Sequence, residues 1–276
     1  MRPSAPGAEP RRAAGLQRLA AAGRAAAARL LDALLPPRCL TCEAEVAVQG
    51  TQCPACFAGL SVITEPFCAR CGVPFAHEAQ AAERGPAGAV CPACTAHPPA
   101  FAAARAALRY DAAAKRLILP FKHGDRTELA RPLARHMARA GAGLLARADA
   151  IAPVPAHWRR VIARRYDQAA LLAAELGRLG GRPVLPDLLR RARRTPPLNE
   201  RGAAERALTV AGAFAVHPAR LRAVRGGRVL LVDDVLTSGA TANACAEALL
   251  AAGVAAVDVL AAARVPDPRL RNDGAA

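Results

Sequence analysis

From about Phe101 onward, short runs of branched apolar residues alternate with longer stretches whose apolar positions recur every three to four residues. The short runs are typical of buried strands, and the longer stretches of amphipathic helices. A helix is predicted from Ala112 to about Met137, a second ends at Gly180 and Gly181, and a third closes on Gly253. The predicted strands are ALRYD, DAIAPVP, GGRVLLVDD and AAVDVLAAARV. This alternation indicates an α/β fold with a mainly parallel sheet, helices on both faces, and ligands at the carboxyl ends of the strands.

The first part of the chain follows a different pattern. Residues 1–12 are rich in Pro, Gly and Arg and are predicted to be disordered. Residues 13–35 are predicted to form an amphipathic helix that packs on the protein, because its leucines share one face: Leu16, Leu19, Leu30 and Leu34. Arginines interrupt this stretch, which excludes an ordinary membrane span, and no clear signal cleavage site is found. We therefore expect a cytoplasmic protein.

A basic, proline-containing segment at 190–207, RRARRTPPLNERGAAERA, shows no apolar period and is predicted to be a mobile loop.

The segment VLLVDDVLTSGAT, residues 229–241, combines a buried strand, two carboxylates and the start of a helix. Asp233 and Asp234 can accept hydrogen bonds from the two vicinal hydroxyls of a ribose. Free amides and hydroxyls at the helix start can wrap a phosphate: Thr237, Ser238, Gly239, Ala240 and Thr241. An acidic turn with a hydroxyl helix cap would explain any single piece of this motif. The whole pattern predicts a site for a phosphoribosyl group, such as that of 5-phosphoribosyl-1-diphosphate (PRPP).

Eight of the nine cysteines form four C-x-x-C pairs, and such pairs let two thiolates reach one metal from a tight turn. Two pairs make a tetrahedral zinc site, so two structural Zn²⁺ sites are predicted. Consecutive pairing is the simplest arrangement, and a crossed one stays open. Disulfides, redox motifs and an iron-sulfur cluster are the competing interpretations. The predicted ligands are Cys39, Cys42, Cys53, Cys56, Cys68, Cys71, Cys91 and Cys94.

These patterns divide the chain into four parts. We predict a disordered tail plus amphipathic helix at 1–35, a double zinc ribbon at 36–100, a ligand-binding α/β domain at 101–265, and a second tail at 266–276. The remaining cysteine, Cys245, is predicted to be a small buried apolar residue.

Lys and Arg number 38 against 22 Asp and Glu, which gives a formal net charge of +16. Such an excess attracts polyanions, and phosphates are the natural partners. The alternative is that a GC-rich coding sequence inflates arginine together with alanine, so the charge alone does not establish nucleic-acid binding.

The motif at 229–241 resembles the PRPP motif of type I phosphoribosyltransferases. LILPFKHGD, APVPAHWRRVIARRYDQAALLA and RRTPPLNERGAAERALTVAGAF resemble elements of the ComF/GntX family, and with the cysteine module the likeness covers about residues 36–265. The resemblance implies a type I phosphoribosyltransferase-like sheet after a zinc-ribbon module, with Mg²⁺ bound beside PRPP. It also implies that the loop after the first core strand binds the diphosphate, with Val154 and Pro155 shaping the loop and Arg159, Arg164 and Arg165 facing the ligand.

The chain departs from the family pattern at several positions. Arg165-Tyr166-Asp167-Gln168 stands where Gly-Phe-Asn-Gln is expected, Leu198 where a Gln is usual, and Thr209 where an Asn is usual. The last two lie in the predicted mobile segment, where loop closure and recognition of an acceptor are expected. The resemblance therefore implies PRPP binding more directly than catalysis.

The favoured function is that of a ComF-like protein that binds PRPP and Mg²⁺ and handles single-stranded DNA during uptake, in natural competence. Its expected partners are single-stranded DNA and competence-machinery proteins such as a helicase. Two alternatives stay open: an active phosphoribosyltransferase of nucleotide or salvage metabolism, and a non-catalytic regulator that senses PRPP. The sequence assigns no catalytic residue and no oligomeric state.

Overall fold

The computed structural model describes residues 35–85, 88–156, 166–192 and 212–270. The predicted N-terminal helix, the arginines at 159, 164 and 165, and residues 193–207 of the predicted loop lie outside these ranges. The chain divides into two compact units, 1–54 and 55–276. In the first unit, the described segment turns tightly around the first cysteine pair, where the amide of Cys39 donates to the carbonyl of Ala44 at 2.7 Å.

The helices and strands of the described residues alternate along the second unit as the hydrophobic pattern predicts. The helices are α1 (Pro54–Ala58), α2 (Pro92–Ala96), α3 (Ala112–His123), α4 (Ala130–Ala140), α5 (Ala142–Arg147), α6 (Gln168–Gly180), α7 (Pro218–Leu221) and α8 (Ala240–Ala251). The strands are β1 (Glu83–Gly85), β2 (Gly88–Val90), β3 (Ala103–Arg109), β4 (Ala150–Pro153), β5 (Leu189–Arg191), β6 (Phe214–Val216), β7 (Arg228–Leu236) and β8 (Ala256–Arg264).

The core of this unit is a parallel four-stranded sheet in the order β3-β8-β7-β4. The central strand β7 begins with four fully buried residues, Val229 to Val232, as expected for a strand that is covered on both faces. Leu230 pairs with Ile151 of β4 and with Asp258 of β8. This register brings the carboxyl ends of β4, β7 and β8 to one edge of the sheet.

Helices cover both faces of the sheet. On one face, Cys245 and Leu249 of α8 join the cluster that contains Val229 and Leu231. On the other face, α4 and α6 pack on each other and on the strands. The end of α4 lies so close to β8 that a Cβ added at Gly141 would fall 2.6 Å from the Leu260 side chain. The predicted fold class, a mainly parallel α/β sheet after a zinc-ribbon module, is confirmed.

The helix predicted from Ala112 to about Met137 is two helices. The first, α3, is capped at its start by Asp111, whose side chain accepts from the amide of Ala114 at 2.9 Å. It ends at Gly124, and Asp125 has a left-handed backbone with φ of 52°. A short 3₁₀ turn, Thr127–Leu129, then leads into α4. The apolar period runs through both helices, which is why the pattern alone predicted one.

The segment before β3 covers the open edge of that strand. The amide of Ile63 donates to the carbonyl of Ala107 at 2.9 Å, and the amide of Arg109 donates to Ser61 at 2.8 Å. Further along, the amide of Ala104 donates to the carbonyl of Arg70 at 2.6 Å. The third C-x-x-C pair of the chain, Cys68 and Cys71, is therefore attached to the edge of the sheet.

The predicted loop at 190–207 begins inside a strand. β5 pairs with β6 in antiparallel fashion, with Leu189 opposite Val216 and Arg191 opposite Phe214. The guanidinium of Arg191 lies 5.3 Å from the centre of the Phe214 ring. A short ribbon thus joins the described residues on either side of 193–211, which the lack of an apolar period did not predict.

Candidate phosphoribosyl site and cysteine clusters

Two aspartates mark the carboxyl end of β7. Asp233 is partly buried and accepts a hydrogen bond from the amide of Asp234 at 2.8 Å. Asp234 forms an ion pair with Lys122, with 3.0 Å between Nζ and Oδ2, and the two side chains are only 22% and 14% exposed. The strand therefore ends in one shielded charge pair and one carboxylate with no cation of its own among the described residues.

Hydrogen bonds to the last carbonyls of α3 fix the position of Lys122. The hydroxyl of Tyr166 donates to the carbonyl of Phe121 at 2.7 Å, and the amide of Gln168 donates to the carbonyl of Lys122 at 3.2 Å. Gln168 is 4% exposed. Helix C-terminal carbonyls need such donors, so these two residues tie the end of α3 to the start of α6. They are the aromatic and the glutamine that the sequence retains from the family pattern.

A third carboxylate faces the same place. Asp167 caps α6, where its side chain accepts from the amide of Ala170 at 3.1 Å. Burial raises the pKa of Asp167, and the negative charge of Asp234 raises it further. Burial likewise raises the pKa of Asp233 to about 8, with the charge of Asp234 as the second cause, whereas Lys122 opposes the shift. The site thus brings three carboxyl groups close together, with one lysine paired to Asp234, and such a group of carboxyls favours protonation or a bound cation beside them.

The predicted phosphate cradle follows β7 directly. Thr237 and Ser238 are exposed, and Gly239, with φ of 81°, turns the chain into α8. A left-handed backbone of this kind suits glycine. The cradle thus presents two hydroxyls next to the first amides of a twelve-residue helix, which lack acceptors within the helix. Amides and hydroxyls in this arrangement can hold a phosphate.

Arg264, at the end of β8, connects the cradle to the second cysteine cluster. It is 7% exposed, and its guanidinium donates to the carbonyl of Cys71 at 3.2 Å and to that of Leu236 at 3.1 Å. It also donates to the carbonyl of Thr237, the first residue of the cradle. One buried side chain therefore holds a cysteine turn and the cradle entrance in a fixed relation.

The predicted diphosphate loop starts beside the acidic pair. The amide of Val154 donates to the carbonyl of Val232 at 2.8 Å, which places this buried residue next to Asp233. Pro155 follows at the same edge and is partly exposed. Arg159, Arg164 and Arg165 lie outside the described residues, so their assignment to the diphosphate stays a prediction.

The eight cysteines form two groups of four, and within each group all sulfurs lie within 4.8 Å of one another. The groups are consecutive in sequence: Cys39, Cys42, Cys53 and Cys56 form one, and Cys68, Cys71, Cys91 and Cys94 form the other. Cys245 is separate from both groups and fully buried on α8, as predicted.

The spacing within each group fits a tetrahedral zinc ion. The sulfurs of Cys42 and Cys53 are 3.6 Å apart, and those of Cys71 and Cys91 are 3.8 Å apart. Zn–S bonds of about 2.3 Å at tetrahedral angles require a sulfur separation of about 3.8 Å. Hydrogen bonds from the other three thiols lower the pKa of Cys68, whereas hydrogen bonds with Cys68 and Cys71 raise the pKa values of Cys91 and Cys94, because the four thiols are close enough to share protons. The two clusters fit a double zinc ribbon.

Three residues of this site were not among those predicted to bind. Lys122 lies in the segment LILPFKHGD, which resembled a family element, so its sequence context was a usable signal. Asp167 had been noted only as a departure from the family pattern. Arg264 has no local signal, because its role depends on carbonyls that lie far away in the chain.

Two family models match the chain: a double zinc ribbon domain over residues 30–95 and a phosphoribosyl transferase domain over residues 172–275. Competence protein F of Haemophilus influenzae is 34% identical over 116 residues, which are 42% of this chain and 50% of that protein. DNA utilization protein YhgH of Salmonella typhimurium is 30% identical over 199 residues, which are 70% of this chain and 82% of that protein. The chain therefore spans half the length of one relative and most of the other.

Solved structures give only a distant likeness. Orotate phosphoribosyltransferase from Aeropyrum pernix is 20% identical, with 58% of this chain and 80% of that chain covered and a TM-score of 0.31. An allosteric regulatory enzyme of purine biosynthesis is 22% identical. The match covers 48% of this chain and 25% of that chain, with a TM-score of 0.32. At such TM-scores neither structure supports a statement about the site. Within the described ranges, no helix is both long and apolar enough to cross a membrane.

Proposed function

The chain belongs to the ComF/GntX family, and on this premise we propose that it binds PRPP with Mg²⁺ at the carboxyl end of β7 and acts in the handling of single-stranded DNA during uptake. The proposed PRPP binding rests on the placement of Asp233, Asp234 and Lys122 beside the cradle at the start of α8. No other edge of the described sheet combines carboxylates, a lysine and a helix start.

Each group of this edge has a role in the proposed complex. Asp233 and Asp234 accept hydrogen bonds from the ribose hydroxyls, and the cradle at 237–241 holds the 5-phosphate through amides and hydroxyls. Lys122 shields Asp234 and keeps the pair from repelling an anionic ligand. Carboxylate oxygens are ligands that Mg²⁺ prefers, so the acidic pair fits this ion, which would neutralise diphosphate charge when bound.

Isothermal titration calorimetry with PRPP and Mg²⁺ tests this site. Wild-type protein should give saturable heat, and the Asp233→Ala/Asp234→Ala double variant should bind at least about a hundredfold more weakly, because two charge-assisted hydrogen bonds are worth about 1.5–3 kcal/mol each. Asp187→Ala, which removes an exposed carboxylate paired with Arg220, is the matched control and should bind as wild type. Unchanged heat in the double variant would refute the assignment.

The role in DNA uptake rests on the names of the two relatives and on the net charge of +16. In this proposal the protein is cytoplasmic, binds single-stranded DNA through phosphates, and works with competence-machinery proteins such as a helicase. The affinity for an oligothymidylate should fall linearly on a log-log plot against salt concentration, because phosphate contacts release counterions. A flat plot would reject binding through phosphates.

Turnover of PRPP is a separate question that the same protein can answer. Release of diphosphate on addition of candidate acceptors would identify an active phosphoribosyltransferase. Binding of PRPP without release in the presence of any acceptor would favour a sensor.

A further inference from the structure

A cavity of about 870 Å³ lies at the opposite end of the sheet from the acidic pair. It is lined by the starts of β3 and β7, by the turn between α4 and α5, and by β1 and β2 of the second ribbon. Arg228, the first residue of β7, lines this cavity, whereas Asp233 lies five positions further along the strand. At about 3.3 Å per residue Arg228 and Asp233 are roughly 17 Å apart along the strand, so the cavity is distinct from the proposed PRPP site.

Arginines dominate the lining of the cavity. Among the described residues that line it, four are arginines, Arg70, Arg105, Arg147 and Arg228, and one is a carboxylate, Glu83. Two further carboxylates lie near them. Asp258 is 0% exposed and accepts from Arg147 at 2.6 and 2.8 Å and from Arg228 at 3.1 Å. The negative charge of Glu65 acts on Arg105. Asp258 holds two guanidiniums in place but neutralises only one positive charge.

The other two arginines add charge that this carboxylate does not balance. Arg105 is partly buried, and its guanidinium donates to the carbonyls of Ala69 and Ala104 at 2.9 and 2.8 Å and lies 4.4 Å from the centre of the Phe67 ring. These contacts orient the guanidinium without neutralising it. Arg70 is exposed, and its side chain has no partner among the described residues. The four guanidinium groups therefore outnumber the three carboxylates near them, and contacts hold three of the four guanidiniums in place.

The shape of the cavity leaves room for a ligand larger than a bare ion. Its volume lies within the range of about 300–1,000 Å³ that is usual for small-molecule sites. A Cβ added at Gly85 or at Gly143 would meet nothing within 4 Å, so the wall is open at both glycines. Arg105, Arg147 and Arg228 are only partly shielded from water, and an anion in this space would offset the positive charge that the nearby carboxylates leave unbalanced.

We propose that this arginine cavity is a second phosphate-binding site, which takes a phosphate ester carried by a nucleic-acid strand or by a free nucleotide. Guanidinium forks match phosphate oxygens in geometry and charge, which favours phosphate over a carboxylate of similar size. The proposal is independent of PRPP binding, because it uses none of the residues at the carboxyl end of β7.

The test uses the full chain with Asp233→Asn/Asp234→Asn, which removes the proposed PRPP site and leaves the cavity intact. A fluorescent oligothymidylate of twelve nucleotides and unlabelled thymidine monophosphate are titrated in about 0.1 M salt. Arg70→Glu should weaken binding at least about tenfold and reduce the salt slope by about one. Arg135→Glu, an exposed arginine of α4 outside the cavity, is the matched control and should change binding less than threefold.

A variant that fills the cavity without changing its charge distinguishes binding in the cavity from nonspecific attraction by the net positive charge. Gly143→Leu would project a side chain into the open space without changing the charge, and leucine suits the helix better than glycine. It should also weaken binding about tenfold. Competition by the mononucleotide would identify a nucleotide site, and binding of the oligomer alone would identify a strand site. If neither phosphate ligand binds, or if Arg70→Glu and Gly143→Leu both match the Arg135→Glu control, the proposal is wrong.

Discussion

Asp233 and Asp234 are adjacent in sequence and meet different surroundings. Asp234 has the ammonium of Lys122 at 3.0 Å, whereas the carboxyl of Asp233 is shielded from water and lies beside the negative charge of its neighbour. The sequence predicted that both residues bind the ribose, and it could not predict this asymmetry. The difference comes from Lys122, which reaches the pair only because α3 ends where it does.

The raised pKa of Asp233, about 8, predicts a pH-dependent affinity for PRPP. Below pH 8 the carboxyl is mostly protonated, and binding in the ionised form must release that proton. The affinity should therefore rise by up to about tenfold per pH unit from pH 6 to 8 and level off above. Calorimetry at pH 7 in two buffers of different ionisation enthalpy should show release of close to one proton, which Asp233→Asn abolishes. Equal heats in both buffers for wild type would contradict this assignment.

Lys122 should set the position of that pH profile. Its charge lowers the pKa of Asp233, so Lys122→Met should move the pH at which affinity levels off to a value above about 8. Lys115→Met, on the same helix but over the Tyr110 ring, provides the matched control and should leave the profile in place. A wild-type profile in Lys122→Met would show that the lysine does not act on the aspartate.

At the scale of elements, the predicted strands β3, β4, β7 and β8 are all present, because each is a run of apolar residues that ends in polar ones. Two predictions about elements failed for definable reasons. Apolar residues recur every three to four positions from α3 into α4, so the hydrophobic pattern does not reveal the break at Gly124. β5 and β6 are three residues each, too short to show a period, and they are stabilised by pairing with each other.

Contacts between distant elements were beyond sequence reasoning altogether. Arg264 and Asp258 lie on one strand that the pattern predicted correctly, yet their partners come from α5, from β7 and from a cysteine turn. Apolar periodicity indicates which face of an element is buried. It does not indicate which polar groups form hydrogen bonds or ion pairs with one another.

Arg264→Lys should weaken the contact with the cysteine turn at Cys71 and the contact with Leu236 at the cradle entrance. A lysine is a point charge and lacks the fork that reaches Cys71 and Leu236 together. We expect weaker PRPP binding, by about tenfold, together with faster transfer of zinc to a chromogenic chelator. Arg269→Lys, on an exposed arginine paired with Asp267, should change neither. Loss of PRPP affinity with unchanged zinc release would mean that the two ends are not coupled.

Asp258→Asn should destabilise the sheet strongly, because it leaves two guanidiniums around a buried neutral amide. Breaking a buried ion pair on one side costs about 3–5 kcal/mol. Asp187→Asn removes one member of an exposed pair and should cost less than about 1 kcal/mol. Urea unfolding at pH 7 measures both. Equal midpoints for the two variants would show that the buried carboxylate contributes little.

At the scale of the whole molecule, the net charge of +16 predicts self-repulsion that salt relieves. From about 0.01 to 0.1 M NaCl the Debye length falls from about 30 to about 10 Å. The melting temperature should therefore rise by a few degrees over this range. Sucrose of equal osmolarity does not screen charge and serves as the control. A melting temperature that stays flat or falls with salt would show that the charges are already locally balanced.

The segment that covers the edge of β3 leaves the sheet dependent on metal. Residues 61–70 pair with β3 through backbone hydrogen bonds and lead directly into a cysteine cluster that fits zinc. Without zinc this cover would loosen, and β3 would present unpaired amides and carbonyls along a mostly apolar strand, which is a template for aggregation. Zinc supply should thus govern how much of the protein escapes precipitation and proteolysis in the cell, before any question of ligand binding arises.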